Sequence, residues 1–160
     1  IPALYSLDAE VVLSSTNGER RVPICEFFIG PGKHVMKPGE LITALEIPDR
    51  KTRGVFFKLG ERRAQAISKI SLAVSAWKKD DGSWAWRVAF GAVAPTVVRV
   101  RAVEQRLEAT PAAEVAGRIP DLVAAVIGEA RPIDDIRSTR EYRARMVPVL
   151  FKRALEQLTA

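Results

Sequence analysis

Apolar positions alternate with a period of two until about Arg99 and recur with a helical period beyond it. In "DAEVVLSSTNGERRVPI" Val11 and Leu13 share one face and Val12 takes the other, and Asn17-Gly18 predicts a type I′ hairpin turn. "CEFFIGPGKHVMKPGE" carries Gly30-Pro31-Gly32 and Pro38-Gly39, which predict a shaped loop pinned to a core by Phe27 and Phe28. "ELITALEIP" reads as a strand ended by Pro48. After the polar "DRKTRG", a strand over Val55 to Leu59 leads into a basic bend and a long hairpin. One hairpin arm puts Ile70, Leu72, Val74 and Ala76 on a single face, and the other does so with Trp84, Trp86, Val88 and Phe90. Asp81-Gly82 makes the turn, and core packing against helices is the economical reading of these aromatics.

Beyond Ala94-Pro95 the stripe Val100, Val103 and Leu107 predicts one helix, and Ala112 to Glu129 a second with a weak point at Pro120. A last helix follows "PIDDIRST", with Ser138 and Glu141 at capping-box spacing. It is expected to turn Tyr142, Met146, Leu150 and Leu155 inward and to bend at Pro148. Strands followed by helices predict an α+β fold: a three-stranded antiparallel sheet packed with about three helices in the second part. Asp134 and Asp135 precede a helix start, where negative charge is favourable, and Glu40 and Glu46 read as surface groups flanking a strand.

Composition narrows the chemistry. Hydrophobic content of 48% and charged content of 28% fit an ordinary globular protein, and every apolar run is too short to span a bilayer. Neither a secretory start nor a membrane association is expected. Cys25 is alone, which excludes an internal disulfide and fits a reducing, cytoplasmic setting. One Cys and one His cannot supply a zinc or iron–sulfur ligand set, so no metal site and no catalytic residue are expected, and His34 reads as a solvated loop residue. The net charge of +6 suits an anionic partner. The cations are dispersed and aromatics are only 7%, which argues against nucleic acid. No P-loop or G-x-G-x-x-G spacing occurs.

The chemically suggestive stretch is "VFFKLGERRAQAISKISLAVSAW". Lys58, Arg62, Arg63 and Lys69 surround a bend between two apolar runs, as in a loop that presents positive charge to a bound anionic group.

Four stretches in order carry a resemblance: "FFIGPGKHVMKPGELITALEIP", "FFKLGERRAQAISKISLAVSAW", "RVAFGAVAPTVVRVRAVEQRLE" and "PIDDIRSTREYRARMVPVLFKRAL". Together the chain resembles the later part of the FAD-binding (medium) subunit of molybdenum hydroxylases, the xanthine dehydrogenase and carbon monoxide dehydrogenase family. The resemblance implies that residues 1–50 end the FAD-binding subdomain and that residues 51–160 form a CO dehydrogenase flavoprotein C-terminal-like domain. It also implies a glycine-rich FAD-binding part ahead of Ile1, and a fragment inactive in isolation. An oxidoreductase role follows: electrons pass from the [2Fe–2S] clusters of an iron–sulfur subunit, fed by a molybdopterin-binding subunit, through FAD to NAD or another acceptor. Two positions carry over as cofactor-binding, Ile42 after "PGEL" and Lys58 after the paired aromatics. An ammonium near the flavin favours its reduced form, in which negative charge gathers on the ring. The bend corresponds to a loop beside the flavin, where acidic residues of some relatives are here Ala64, Gln65 and Ala66. The competing reading is a basic binding or docking module without flavin contact.

Overall fold

The computed structural model describes residues 1–62 and 66–160. The chain opens with α1 (Pro2–Ser6), β1 (Glu10–Ser15), β2 (Gly18–Pro23), α2 (Ile24–Phe27), the short strands β3 (Phe28–Gly30) and β4 (Lys33–His34), and β5 (Leu41–Glu46). β1 lies between β2 and β5, antiparallel to both. Val11 and Leu13 join Tyr5, Val22, Ile24 and Phe27 in a small core. The hairpin differs from the expected turn. Ser15 pairs with Gly18, so Thr16 and Asn17 form the loop, and Gly18 alone takes a positive φ, 117°. Gly18 therefore supplies the left-handed step just after the loop. His34 is exposed but not idle, since its ring stacks on Phe27 at 5.8 Å.

Glu40 departs from the surface role expected of it. Arg20 donates to both carboxylate oxygens, at 2.6 and 2.9 Å, and also to the Val35 carbonyl, while the Lys37 amide donates to Glu40 at 2.6 Å. The carboxylate thus fastens the loop before β5 onto β2. Those donors, Arg20 first, hold its pKa down at about 2, below its ordinary 4.5. A depressed carboxylate pKa stabilises the fold above the unfolded-state value and loses that contribution as pH falls through the folded-state value. Thermal unfolding followed from pH 6 to 2 is expected to show midpoints dropping below about pH 4.5. Glu40→Gln is expected to be less stable at neutral pH and flatter across that window; an unchanged profile would remove Glu40 from the acid response.

The second sheet comprises β6 (Arg53–Gly60), β7 (Ser68–Lys78), β8 (Trp84–Gly91) and β9 (Val98–Arg99), antiparallel in that order. The expected three strands are extended by the two-residue β9. α3 (Arg101–Ala109), α4 (Val115–Glu129) and α5 (Arg140–Thr159) cover one face, burying Ile70, Leu72, Val74, Val88 and Phe90 against Val103, Leu107, Val126, Leu150 and Leu155. Glu129 caps α3 by accepting from the amides of Ala102 and Val103. Pro120 and Pro148 lie inside their helices, which continue through them.

The start and phase of α5 differ from expectation. Its N-cap is Thr139, accepting from the Tyr142 amide at 3.2 Å, because Asp135 already engages the amides of Arg137 and Ser138. Asp134 accepts from the Arg140 amide at 2.6 Å, so its charge does serve the helix start. The buried stripe runs Arg143, Val147, Leu150, Phe151, Ala154 and Leu158, and Tyr142 stands 40% exposed.

α1 packs on the opposite face of this sheet, against β7 and β8. Asp8, with φ of 52°, ends that helical entry. Its carboxylate accepts from Arg87 at 2.9 Å, Arg99 at 3.0 Å and Arg50 at 3.3 Å. Arg87 and Arg99 continue to Glu108 and Glu104, and Arg50 lies 3.5 Å from the centre of the Trp77 ring. The polar stretch after β5 is therefore tied down through Arg50.

Candidate functional site

β6 is an edge strand with two unlike faces. Val55, Phe57 and Leu59 pack on the helix-covered core. Gly54, Phe56, Lys58 and Gly60 alternate with them and are exposed. Lys58 pairs with Ser71 of β7 through the backbone, and among the described residues nothing pairs with its ammonium. An unpaired cation on an edge strand is an ordinary surface feature. What distinguishes this one is its neighbour Phe56, an aromatic ring left 53% exposed on the same face.

Ile42 sits in β5, opposite Leu13 of β1. It is half exposed rather than part of a core. All six residues of β5 are exposed, Leu41 at 70%, and among the described residues only β1 pairs with this strand. A strand with apolar side chains on both faces and one bare edge is a surface suited to being covered. Ile42 and Lys58 thus lie on different sheets, and neither lines the cavities described below.

Of the basic bend, Arg63, Ala64 and Gln65 lie outside the described residues. Arg62 is exposed. Lys69 is engaged locally, 3.3 Å from Glu61 and 5.8 Å from the centre of the Tyr142 ring. The return of the bend is anchored by Arg143, which donates to the Lys69 carbonyl at 2.9 Å, the Ile133 carbonyl at 2.5 Å and Asp135 at 2.6 Å. Asp135 also pairs with Arg137, and that bond first, then the others, holds its carboxyl well below the usual range. Arg143 is a functional anchor that the apolar pattern of the sequence does not single out.

A cavity of about 620 Å³ lies between the first sheet and β8–α3, lined among others by Tyr5, Cys25, Glu46, Arg87 and Arg101. Of its arginines, Arg87 and Arg99 are occupied by Asp8, Glu104 and Glu108. A second, of about 270 Å³, involves Phe28, Pro31, Ala92 and Arg137. No group of metal-binding side chains occurs among the described residues, and no helix is long and apolar enough to cross a membrane.

Comparison with known proteins gives these features a context. Residues 55–158 match the family profile of the CO dehydrogenase flavoprotein C-terminal domain, and residues 1–50 match the FAD binding domain in molybdopterin dehydrogenase. The xanthine dehydrogenase FAD-binding subunit of Escherichia coli O157:H7 is 29% identical over 157 residues, 96% of this chain and 53% of that protein. The carbon monoxide dehydrogenase medium chain of Hydrogenophaga pseudoflava is 28% identical over 157 residues, 96% of this chain and 54% of that protein. Among solved structures, the reconstituted CO dehydrogenase from Oligotropha carboxidovorans superposes with a TM-score of 0.83 at 25% identity, over 99% of this chain and 55% of that one. The chain spans about half the length of the curated relatives it matches.

Proposed function

This chain belongs to the family of the CO dehydrogenase flavoprotein C-terminal domain, and on that premise we propose that it is the later part of an FAD-holding subunit of a molybdenum hydroxylase. In this reading residues 1–50 complete the FAD-binding subdomain and residues 51–160 form the C-terminal domain. The observation that carries it is the exposed strip on β6, where a cation unpaired among the described residues and a bare aromatic ring share one face, in a chain whose first residues match an FAD-binding profile.

The residues suit the group. The isoalloxazine is planar and largely apolar, and reduction gathers negative charge on it; Lys58 offers charge, and Ile42 an exposed aliphatic surface. FAD, when bound, supplies the redox chemistry. The chain's share is to orient the ring, to bias its potential through the ammonium of Lys58, and to exclude water with the apolar side chains of β5. β5 would itself be covered by another part of the subunit. Electrons would arrive from an iron–sulfur subunit served by a molybdopterin-binding subunit, and leave to NAD or a different acceptor through the side bordered by the basic bend. A cytoplasmic setting accords with the single cysteine.

The test is FAD titration of the complete subunit, followed by potentiometry. One FAD per polypeptide is expected. Lys58→Met is expected to lower the midpoint potential by on the order of 30 mV, about 1.4 kcal/mol for a two-electron couple, or to weaken FAD binding correspondingly. A colourless complete subunit would contradict the reading; an unchanged potential and affinity in Lys58→Met would remove Lys58 from the site. Salt-sensitive binding of an oligonucleotide by that colourless protein would instead favour a basic binding module.

A further inference from the structure

We propose that Phe56 is a contact residue for the flavin ring, acting beside Lys58; the inference rests on the reading above and adds a residue to it. The two aromatics of "VFFK" have separate fates. Phe57 packs on the helix-covered core, while Phe56 belongs to neither core cluster and stays 53% exposed. It makes no ring contact with another aromatic side chain among the described residues.

Register decides what Phe56 accompanies. Residues two apart on a strand face the same way, about 7 Å apart, so Phe56 and Lys58 stand side by side. Gly54 and Gly60 flank them on that face, so neither neighbour along β6 raises a side chain next to the pair. The result is a strip, bordered at the Gly60 end by Ala66, that holds one aromatic surface and one positive charge. A planar ring that carries negative charge is complementary to both, through stacking or edge contact with the phenyl ring and attraction to the ammonium. Reduced flavin has that chemistry. A bulky apolar side chain on a bare sheet edge otherwise invites unwanted pairing, which an occupant would prevent.

The test uses the complete FAD-binding subunit as wild type, Phe56→Ala and Phe56→Tyr, each titrated with FAD and followed by flavin fluorescence and visible circular dichroism. Phe56→Ala is expected to bind FAD roughly tenfold more weakly, with an altered visible dichroism. Phe56→Tyr, which keeps the ring, is expected to stay within about twofold of wild type. The thermal midpoints of the three apo-proteins should agree, since the ring is not part of a core. Wild-type affinity and dichroism in Phe56→Ala would overturn the assignment of Phe56 while leaving Lys58 in place. Failure of the wild type to take up FAD would overturn both the assignment and the reading beneath it.

Discussion

Replacing Arg143 by Met is expected to lower the unfolding free energy by about 3–5 kcal/mol, the range for breaking a buried ion pair from one side. The guanidinium is fully buried and answers three acceptors from two segments: Lys69 at the start of β7, and Ile133 and Asp135 in the stretch before α5. Met fills much of the volume but donates nothing. Two carbonyls then lose the Arg143 donor, and among the described residues Asp135 keeps Arg137 alone as a cation. Arg143→Lys should recover little, because an ammonium lacks the planar fork that reaches three acceptors at once. Urea unfolding checks this: the midpoint should fall with the slope unchanged, and amide exchange should quicken first near Ile67 to Ile70. A midpoint within experimental scatter of wild type would show that the strut does not hold the bend to α5. Because Lys69 lies where the basic bend returns, the same variant should loosen any acceptor site the bend borders.

Asp8→Asn is expected to cost about 2 kcal/mol, less than the loss at Arg143 because the Asp8 carboxylate is partly open to solvent. Asn keeps the side-chain shape and tolerates the left-handed backbone at φ of 52°. What it removes is the charge facing Arg50, Arg87 and Arg99. Glu104 and Glu108 still neutralise two of these cations, whereas among the described residues Arg50 retains the Leu7 carbonyl and the Trp77 ring but no other carboxylate. Destabilisation should therefore centre on the passage from β5 to β6. Thermal denaturation of Asp8→Asn and Arg50→Met, singly and combined, reads the coupling. Additive losses would show that the two residues act independently.

Most of the second sheet and its covering helices is legible in the sequence because local pattern and tertiary demand agree there. Ile70, Leu72, Val74 and Ala76 face the helices as their alternation requires, and Val103 and Leu107 are buried on α3, with Val100 buried at its N-cap. Asp81-Gly82 turns the hairpin as expected, with Gly82 at φ of 84° and Ser83 donating to Asp81. Reading fails where a charge is buried. A pattern of apolar residues cannot place Arg143 in a core or Glu40 beneath a loop, since each depends on partners far along the chain. Tyr142 looked like the start of the apolar stripe, but the stripe begins one residue later at a guanidinium. β5 forms as the sequence predicts, but its burial is not legible there: Leu41, Ile42 and Leu45 are apolar and yet exposed, because nothing among the described residues covers them. Of the candidate site, the resemblance supplied Lys58 and Ile42. Phe56 needed the register of β6, which shows which of two adjacent phenylalanines is turned outward.

The most direct test is an experimental structure of the complete subunit with FAD bound. The isoalloxazine is expected to rest on the outward face of β6, with the Lys58 ammonium within hydrogen-bonding distance of a ring heteroatom and the Phe56 ring in van der Waals contact. A flavin bound elsewhere, with both side chains still in solvent, would contradict it.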